Sequence, residues 1–314
     1  MRVAKALLEQ GKLVAFPTET VYGLGANALD AQAVLRIFEA KGRPQFDPLI
    51  VHADSAERAF ALASEIPEIA KTLAERFWPG PLTLVLKKRS IVPDLVTSGL
   101  QTVALRVPAH PMALELLRSF GGPIAAPSAN KFGRISPTNA EHVRSEFGDE
   151  VALVLDGGSC RTGVESTIIA LTGEHPVLLR PGGTPIELLT PFLAGLELPS
   201  TDPEHPLAPG QLPSHYAPRT PLVLARCGAL ADSINELSGK RLGWMGVGPA
   251  RPIPGYAHVE WLSHTGDLRQ AASNLFATMR RLDALSLDCI VAELAPEHGL
   301  GLAINDRLIR ASRK

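Results

Sequence analysis

A proline-rich stretch after residue 190 constrains the fold most, because it divides the chain into two parts. Residues 191–221 have the sequence PFLAGLELPSTDPEHPLAPGQLPSHYAPRTP, which lacks the sustained hydrophobic periodicity of a helix or a strand. A chain of 314 residues is also long for one hydrophobic core, since such cores stop growing at about 250 to 300 residues. We therefore predict a first domain of residues 1–200, a linker of residues 201–220 and a second domain of residues 221–314.

The composition is typical of a globular protein, with 45% hydrophobic residues, 20% charged residues and a net charge of -1. This near-neutral balance removes the electrostatic argument for a general nucleic-acid binder, so any anion site must be local. The cysteines Cys160, Cys227 and Cys289 are too far apart for a disulfide framework or for paired zinc ligands. Because no run of about 18 apolar residues occurs, we expect a cytoplasmic protein without a membrane anchor.

Strand and helix patterns alternate through the first domain. LVAFPT, PLIVHA, LTLVLKK, TVALRVP and PIAAPSAN predict strands, and ETVYGLGANA predicts a glycine-punctuated turn. The helix of residues 31–41 has Asp30 as a cap and Gly42 just past its end. A capping box of Thr138 and Glu141 predicts that another helix begins near residue 137.

STIIAL and VLLRP, joined by TGEHP, predict a β-hairpin. A turn that is symmetric about Glu174 would place Arg180 opposite Ile168, on the same face as Ser166. In the second domain, LVLARC, RLGWMGV, AHVEWLS and CIVAEL predict strands that alternate with helical stretches. This alternation predicts a small parallel α/β layer.

Polar side chains at the ends of apolar strands are where α/β proteins place ligands. This criterion selects Thr18, His52, Thr102, Arg106, Ser128, Asn130, Ser166 and Arg180. With Lys41 and Arg43 from the end of the helix, the first domain offers cations and hydroxyls that suit a polyanion and a small polar ligand better than a metal. Arg106 within VALRV would be costly to bury without an anionic partner.

Simpler explanations remain open for several of these residues. At a helix end, Lys41 is explained by the helix dipole and Arg43 by exposure to water. The chain contains neither a Walker A sequence nor the full dinucleotide fingerprint, and GVEST is not a nucleophile elbow. Composition and spacing alone therefore predict an α/β protein with a phosphate-binding pocket, and nothing more specific.

The ordered motifs PTETVYGLG, KGRP with PLIVH, TVALRVP, PSAN, STII, LRPG and SHYAP, which span residues 14–218, resemble the Sua5/YrdC/YciO family. The linker and the additional domain make the chain similar to the two-domain Sua5 form. The resemblance implies an α/β fold: a large YrdC-like twisted mixed-sheet domain with a concave basic pocket, a proline-rich linker and a small Rossmann-like C-terminal α/β domain.

The activity implied by the resemblance is a nucleotidyl transfer, in which L-threonine, bicarbonate or CO2, and ATP give L-threonylcarbamoyladenylate and pyrophosphate. The product would pass to a tRNA threonylcarbamoyl transferase complex that forms N6-threonylcarbamoyladenosine. We expect a monomer, and we expect Mg²⁺ to be bound mainly through the phosphates of ATP.

The resemblance assigns a role to each motif residue. Thr18, His52, Arg106, Ser128 and Ser166 would bind L-threonine. Lys41, Gln45, Thr102, Asn130, Thr138, Arg180 and Tyr216 would bind ATP, with Tyr216 as part of a lid. Lys41, Arg43 and Arg106 would be the catalytic residues.

Two other functions remain alternatives. Another carbamoyl-transfer enzyme would turn over carbamoyl phosphate without a threonine requirement. An RNA-binding or ribosome-associated module would bind RNA in a salt-sensitive manner, without competition from ATP.

Overall fold

The computed structural model of the protein describes residues 1–198, 207–212, 214–225, 239–248 and 250–313. The chain forms two compact units. The first contains Met1–Phe132, Ser136–Arg161 and Glu165–Leu212, and the second contains Pro213–Lys314 together with the short segments Gly133–Ile135 and Thr162–Val164. The main division therefore falls inside the predicted linker, of which residues 201–206 and 213 lie outside the described residues, as does Cys227.

A mixed sheet of nine described strands forms the centre of the first unit, in the order β7-β1-β2-β6-β3-β5-β4-β8-β9. The strands are β1 (Val14–Phe16), β2 (Gly23–Asn27), β3 (Ile50–His52), β4 (Leu82–Lys87), β5 (Thr102–Arg106), β6 (Ile124–Ala125), β7 (Leu153–Val154), β8 (Thr167–Ala170) and β9 (Val177–Arg180). The central strands β3 and β5 are parallel, and so are β4 and β8, whereas β4 and β5 run antiparallel. All the strands predicted in the first domain are present.

The described helices of this unit follow the apolar patterns of the sequence. They are α1 (Arg2–Glu9), α2 (Ala31–Lys41), α3 (Ala56–Phe60), α4 (Glu68–Phe77), α5 (Asp94–Thr97), α6 (Pro111–Phe120), α7 (Ala140–Phe147) and α8 (Ile186–Leu189). Both predicted ends of α2 are confirmed: Asp30 accepts hydrogen bonds from two backbone N–H groups, and Gly42 adopts a left-handed conformation with φ 60°. The predicted start of α7 was wrong, because Asn139 caps it and not Thr138.

The glycine-rich segment after residue 22 is a strand, so the prediction of a turn was wrong there. The glycines of β2 provide space rather than a reversal of the chain. A Cβ atom on Gly25 would lie 2.8 Å from the Phe16 ring and 2.9 Å from Ile124 Cγ2. Glycine therefore lets β2 pair with β1 and β6 while bulky side chains pack above it.

Two hydrophobic clusters lie on the central strands of the sheet. The larger joins residues of α2, α4 and α5 to strand residues such as Val51, Leu84 and Leu105. The smaller contains Ile50, Val85, Ala104, Ile168 and Ala170, together with Ala208 from the linker. Because successive residues of a strand point to opposite faces, the two clusters mark the two faces of the sheet.

The second unit contains four described strands, β10 (Leu222–Ala225), β11 (Leu242–Val247), β12 (His258–Ser263) and β13 (Cys289–Glu293), and the helices α9 (Leu268–Asp283) and α10 (Gly301–Ala311). Their order is β10-β13-β11-β12, and every pairing is parallel, which confirms the predicted parallel α/β layer. Among the helices that the structure describes, none is long and apolar enough to cross a membrane.

Candidate active site

Residues of five strands, four of them polar, lie at one level across the face of the sheet that carries the smaller cluster. His52 on β3 pairs with Arg106 on β5, and the antiparallel register of β4 brings Thr83 level with Arg106. Thr83 pairs with Ile168 on β8, which in turn pairs with Arg180 on β9. The predicted register of Arg180 opposite Ile168 is therefore confirmed, and two distant arginines lie in one row.

Arg106 is buried in a hydrogen-bonded network. Its Nη2 donates to Glu19 Oε1 at 2.6 Å, its Nη1 donates to Thr20 Oγ1 at 3.0 Å, and its exposure is 3%. The hydroxyls of Thr20 and Thr18 lie 2.7 Å apart, and Glu19 Oε2 also accepts a hydrogen bond from the Ala109 N–H. Glu19 is thus the anionic partner that burial of Arg106 requires, although it lies 87 positions earlier in the sequence.

His52 stays neutral beside this network. Burial lowers the pKa of His52 to about 3, and the positive charge of Arg106 acts in the same direction. The His52 Nδ1 atom is buried and makes no hydrogen bond with any described residue. A neutral imidazole of this kind can form a hydrogen bond with a small polar ligand but is too weakly basic to hold a proton at neutral pH.

Ser166 and Arg180 share one wall of the site, as the hairpin register predicted. The guanidinium of Arg180 donates to Ser166 Oγ at 3.2 Å and to the Ser166 carbonyl at 3.0 Å, while its Nη1 donates to the carbonyl of Pro209 at 2.9 Å. The Ser166 hydroxyl lies 2.7 Å from that of Thr83. Gly182 permits this packing, because a Cβ atom there would lie within 2.4 Å of the backbone at Glu165 and Thr167.

Lys41 is a buried ammonium that is held by neutral groups. The Lys41 Nζ donates hydrogen bonds to the carbonyls of Ser128 and Asn130, and the side chain is 2% exposed. No carboxylate of the described residues forms an ion pair with Lys41. Burial, followed by the charge of Arg43, holds the pKa of Lys41 well below its ordinary value. A buried cation of this kind is stabilised when an anion binds next to it.

Arg43 and Asp47 form a buried ion pair in the loop after α2. Arg43 Nη2 lies 2.8 Å from Asp47 Oδ2, and the guanidinium also donates to the carbonyls of Asp47 and Pro48. The exposure of Arg43 is 6% and that of Asp47 is 0%, so the explanation of Arg43 by exposure to water was wrong. The ion pair fixes the Lys-Gly-Arg turn against the segment that leads into the start of β3.

The other residues predicted to bind ATP differ in how deeply they are buried. Thr138 is buried, and its carbonyl accepts a hydrogen bond from the Cys160 N–H. Thr102 is half-buried at the start of β5, roughly 13 Å along the strand from Arg106. Gln45 is exposed and makes no hydrogen bond with any residue that the structure describes.

Tyr216 belongs to the second unit, where it is buried. Its ring centroid lies 5.6 Å from that of Phe276 and 5.2 Å from the guanidinium carbon of Arg307. Its assignment to ATP stays a prediction.

Sequence reasoning missed four polar residues of the site: Glu19, Thr20, Asp47 and Thr83. Asp47 follows Arg43 by only four positions, so its closeness in the sequence was a usable local signal. Glu19 and Thr83 gave no such signal, because their partners come from distant strands. The nearby Cys160 is inert, since burial raises the pKa of its thiol to about 12.

The fold and the site together define an α/β protein with a buried, cation-rich site that suits a polyanion beside a small polar ligand. Residues 6–182 match the Sua5/YciO/YrdC family, whose description is "Telomere recombination". Residues 185–313 match a second family, described as "Threonylcarbamoyl-AMP synthase, C-terminal domain". The chain belongs to the Sua5/YciO/YrdC family, in its two-domain Sua5 form.

Relatives match the chain over almost its full length. A threonylcarbamoyl-AMP synthase of Pyrococcus abyssi (strain GE5 / Orsay) is 46% identical over 331 residues, covering 99% of this chain and 94% of that protein. The threonylcarbamoyl-AMP synthase of Bacillus subtilis (strain 168) is 43% identical, covering 98% of this chain and 92% of that protein. A crystal structure of P. abyssi Sua5 complexed with L-threonine matches with a TM-score of 0.92 and 47% identity, covering 99% of this chain and 93% of that one. This match confirms the predicted fold class.

Proposed function

We propose that this protein is an L-threonylcarbamoyladenylate synthase. It converts L-threonine, bicarbonate or CO2, and ATP into threonylcarbamoyl-AMP and pyrophosphate. The full-length similarity to proteins named threonylcarbamoyl-AMP synthase supports this activity, and so does the similarity to a Sua5 structure with L-threonine. The product serves tRNA N6-threonylcarbamoyladenosine formation, through a downstream tRNA threonylcarbamoyl transferase complex in the cytoplasm.

The observation that carries the proposal is the environment of the buried Lys41 ammonium. Among the described residues, it donates hydrogen bonds to two carbonyl oxygens and forms no ion pair with a carboxylate. A second buried cation, Arg43, further disfavours the charged form of Lys41, and the opposing effect of Asp47 and Glu146 does not restore its pKa, so this end of the site favours an additional anion. The phosphates of ATP supply that charge. Hydrogen bonds between charged partners in a buried site are about twice as strong as neutral ones.

Two groups of polar residues in the site suit the two substrates. Around Arg106, the hydroxyl of Thr18 and the neutral imidazole of His52 offer hydrogen bonds for the carboxylate and hydroxyl of threonine, with Ser166 and Ser128 completing the set. Lys41, Arg43 and Arg180 face the phosphates, while Asn130 and Thr138 complete the nucleotide side. Thr102 belongs to the nucleotide side as well, at the opposite end of β5 from Arg106.

Positioning and charge neutralisation account for most of the catalysis. The threonine nitrogen adds to CO2 and loses a proton to water to form a carbamate, whose oxygen attacks the α-phosphorus while pyrophosphate leaves. Arg106 orients the threonine, and Lys41 and Arg43 neutralise the charge that develops on the departing pyrophosphate. His52 is too weakly basic to take the amine proton, because its pKa is about 3.

Mg²⁺ accompanies the nucleotide in this proposal. Within the described residues, no group of three or more His, Cys, Asp or Glu side chains could hold a metal ion. The donor set of the site therefore fits a cation that is held by the phosphates and not by a protein cage. Bound in this way, Mg²⁺ would supply additional charge neutralisation at the triphosphate.

Pyrophosphate release tests the proposal. Purified protein is incubated with ATP and Mg²⁺, with threonine and bicarbonate each present or omitted. We expect release only when both are present. Release that is indifferent to threonine would instead favour another carbamoyl-transfer enzyme, and no release, together with salt-sensitive RNA binding, would favour an RNA-binding module.

We also propose a monomer, since one chain provides all the site residues named, and sedimentation equilibrium tests this.

A further inference from the structure

One buried carboxylate stands among the three cations of the proposed nucleotide side. Asp47 has 0% exposure, and its Oδ2 lies 2.8 Å from Arg43 Nη2. The positive charges of Arg43, Lys41 and Arg180 all act on it. Asp47 is therefore a buried negative charge that interacts with all three groups that would hold the triphosphate.

Asp47 differs from Glu19, the carboxylate that binds Arg106. Both oxygens of Glu19 accept hydrogen bonds, one from Arg106 Nη2 at 2.6 Å and one from the Ala109 N–H at 2.9 Å. Oδ1 of Asp47 accepts no hydrogen bond from any residue that the structure describes, and Oδ2 contacts Arg43 Nη2 at 2.8 Å without hydrogen-bond geometry. Glu19 is thus fixed by hydrogen-bond geometry, whereas Asp47 is held by charge.

A buried carboxylate without hydrogen bonds is unfavourable unless neighbouring charges compensate for it. Burial raises the pKa of Asp47, while Arg43, Lys41 and Arg180 oppose that rise. The benefit is mutual, because the cations are buried too and the charge of Asp47 favours the protonated form of Lys41. The other groups that act on Lys41 are Glu146, which supports its charge, and Lys131, which opposes it.

We propose that Asp47 is an internal counter-ion of the phosphate-binding cations, which neutralises them until a nucleoside triphosphate arrives and which competes with the triphosphate for Arg43. This inference rests on the proposed function. A triphosphate brings several negative charges to the same cations, and Asp47 then becomes a like charge beside it. Asp47 is accordingly a positioning residue that stabilises the empty site at the expense of nucleotide affinity.

The test is Asp47→Asn, which removes the charge and keeps the shape. We expect the variant to bind α,β-methylene-ATP with Mg²⁺ about tenfold more tightly in isothermal titration calorimetry. We also expect its nucleotide-free form to unfold at a lower temperature than the wild type. A purely structural role in holding Arg43 would weaken both stability and binding, so weaker or unchanged binding by the folded variant would overturn the inference.

Control variants keep the test decisive. Glu39→Gln removes the same charge from an exposed position of α2, and we expect its affinity to change less than twofold. If Asp47→Asn does not fold, Asp47→Ser provides the same comparison, with a hydroxyl acceptor left for Arg43. Wild-type protein that binds no α,β-methylene-ATP would refute the proposed function and this inference together. Wild-type protein that makes the adenylate, with no gain in affinity in either Asp47 variant, would refute this inference alone.

Discussion

The substitution Lys41→Met separates the nucleotide side of the site from the threonine side. An ammonium group has three N–H donors, and two of those on Lys41 are engaged by the carbonyls of Ser128 and Asn130. One donor is left for a phosphate oxygen. A hydrogen bond to a charged group contributes about 1.5 to 3 kcal/mol, so the variant should bind ATP about 10- to 150-fold more weakly.

Isothermal titration calorimetry with α,β-methylene-ATP and, separately, with L-threonine measures this effect. Threonine affinity should change less than ATP affinity, because the Arg106 network shares no hydrogen bond with Lys41, and Lys41 contacts Ser128 through its carbonyl and not through its hydroxyl. Thermal unfolding must be followed in parallel, since the substitution leaves two carbonyls without their donor.

Lys131→Met is the matched control for charge. Lys131 forms an ion pair with Glu150 at 2.6 Å and donates to the Ala40 carbonyl near the end of α2, so its charge is already compensated. We expect its effect on ATP affinity to be less than about threefold. A folded Lys41→Met protein with wild-type ATP affinity would refute the assignment of Lys41 to the phosphates.

Two further predictions concern stability. His52 has a folded-state pKa of about 3, below its ordinary value of 6.5, so the unfolded state binds the extra proton and stability falls as pH drops from 6.5 towards 3. When the pH falls from 6.5 to 4.5, the unfolding free energy of the wild type, measured by urea titration, should therefore drop by about 2 kcal/mol more than that of His52→Gln. An equal drop in the two proteins would contradict a buried neutral imidazole. Gly182→Ala should lower stability by about 3 kcal/mol or more, because its Cβ atom would meet backbone atoms at 2.3 Å. In the control Gly173→Ala, the new Cβ atom would lie 3.9 Å from its nearest neighbour, so stability should change by less than about 1 kcal/mol. Equal losses of thermal stability in the two variants would show that the structure relieves the crowding at Gly182.

Local signals allowed much of the fold to be predicted from the sequence. The helix α2 illustrates this, since its cap at Asp30, its apolar face and its end at Gly42 all lie within twelve residues of one another and agree. The β8–β9 hairpin also has a short connection, and a turn symmetric about Glu174 gave the Ile168–Arg180 pair correctly. A register shift next to that pair places Ile169 opposite Leu178, one residue away from the symmetric prediction. The strand β2 escaped prediction because its glycines are required by Phe16 and Ile124, side chains that only the folded sheet brings close.

The sequence predicted the cationic residues of the candidate site but not the carboxylates that compensate their charge. Arginines within apolar strands are conspicuous, and both Arg106 and Arg180 lie at one level of the sheet. Their neighbours depend on long-range pairing: Glu19 reaches Arg106 across 87 positions, and Thr83 reaches Ser166 across 83. Such contacts follow from strand order, which a single sequence does not determine without a resemblance to a known family.

The most direct test of the central claim is isolation of the reaction product. Protein is incubated with ATP, Mg²⁺, carbon-13 bicarbonate and nitrogen-15 threonine, and the nucleotides are separated and analysed by mass spectrometry. We predict one adenylate that contains both isotopes, formed in equal amount to pyrophosphate. An ATP-derived product without the threonine label, or with threonine but without the carbonate label, would contradict the assignment of threonylcarbamoyladenylate synthesis to this site.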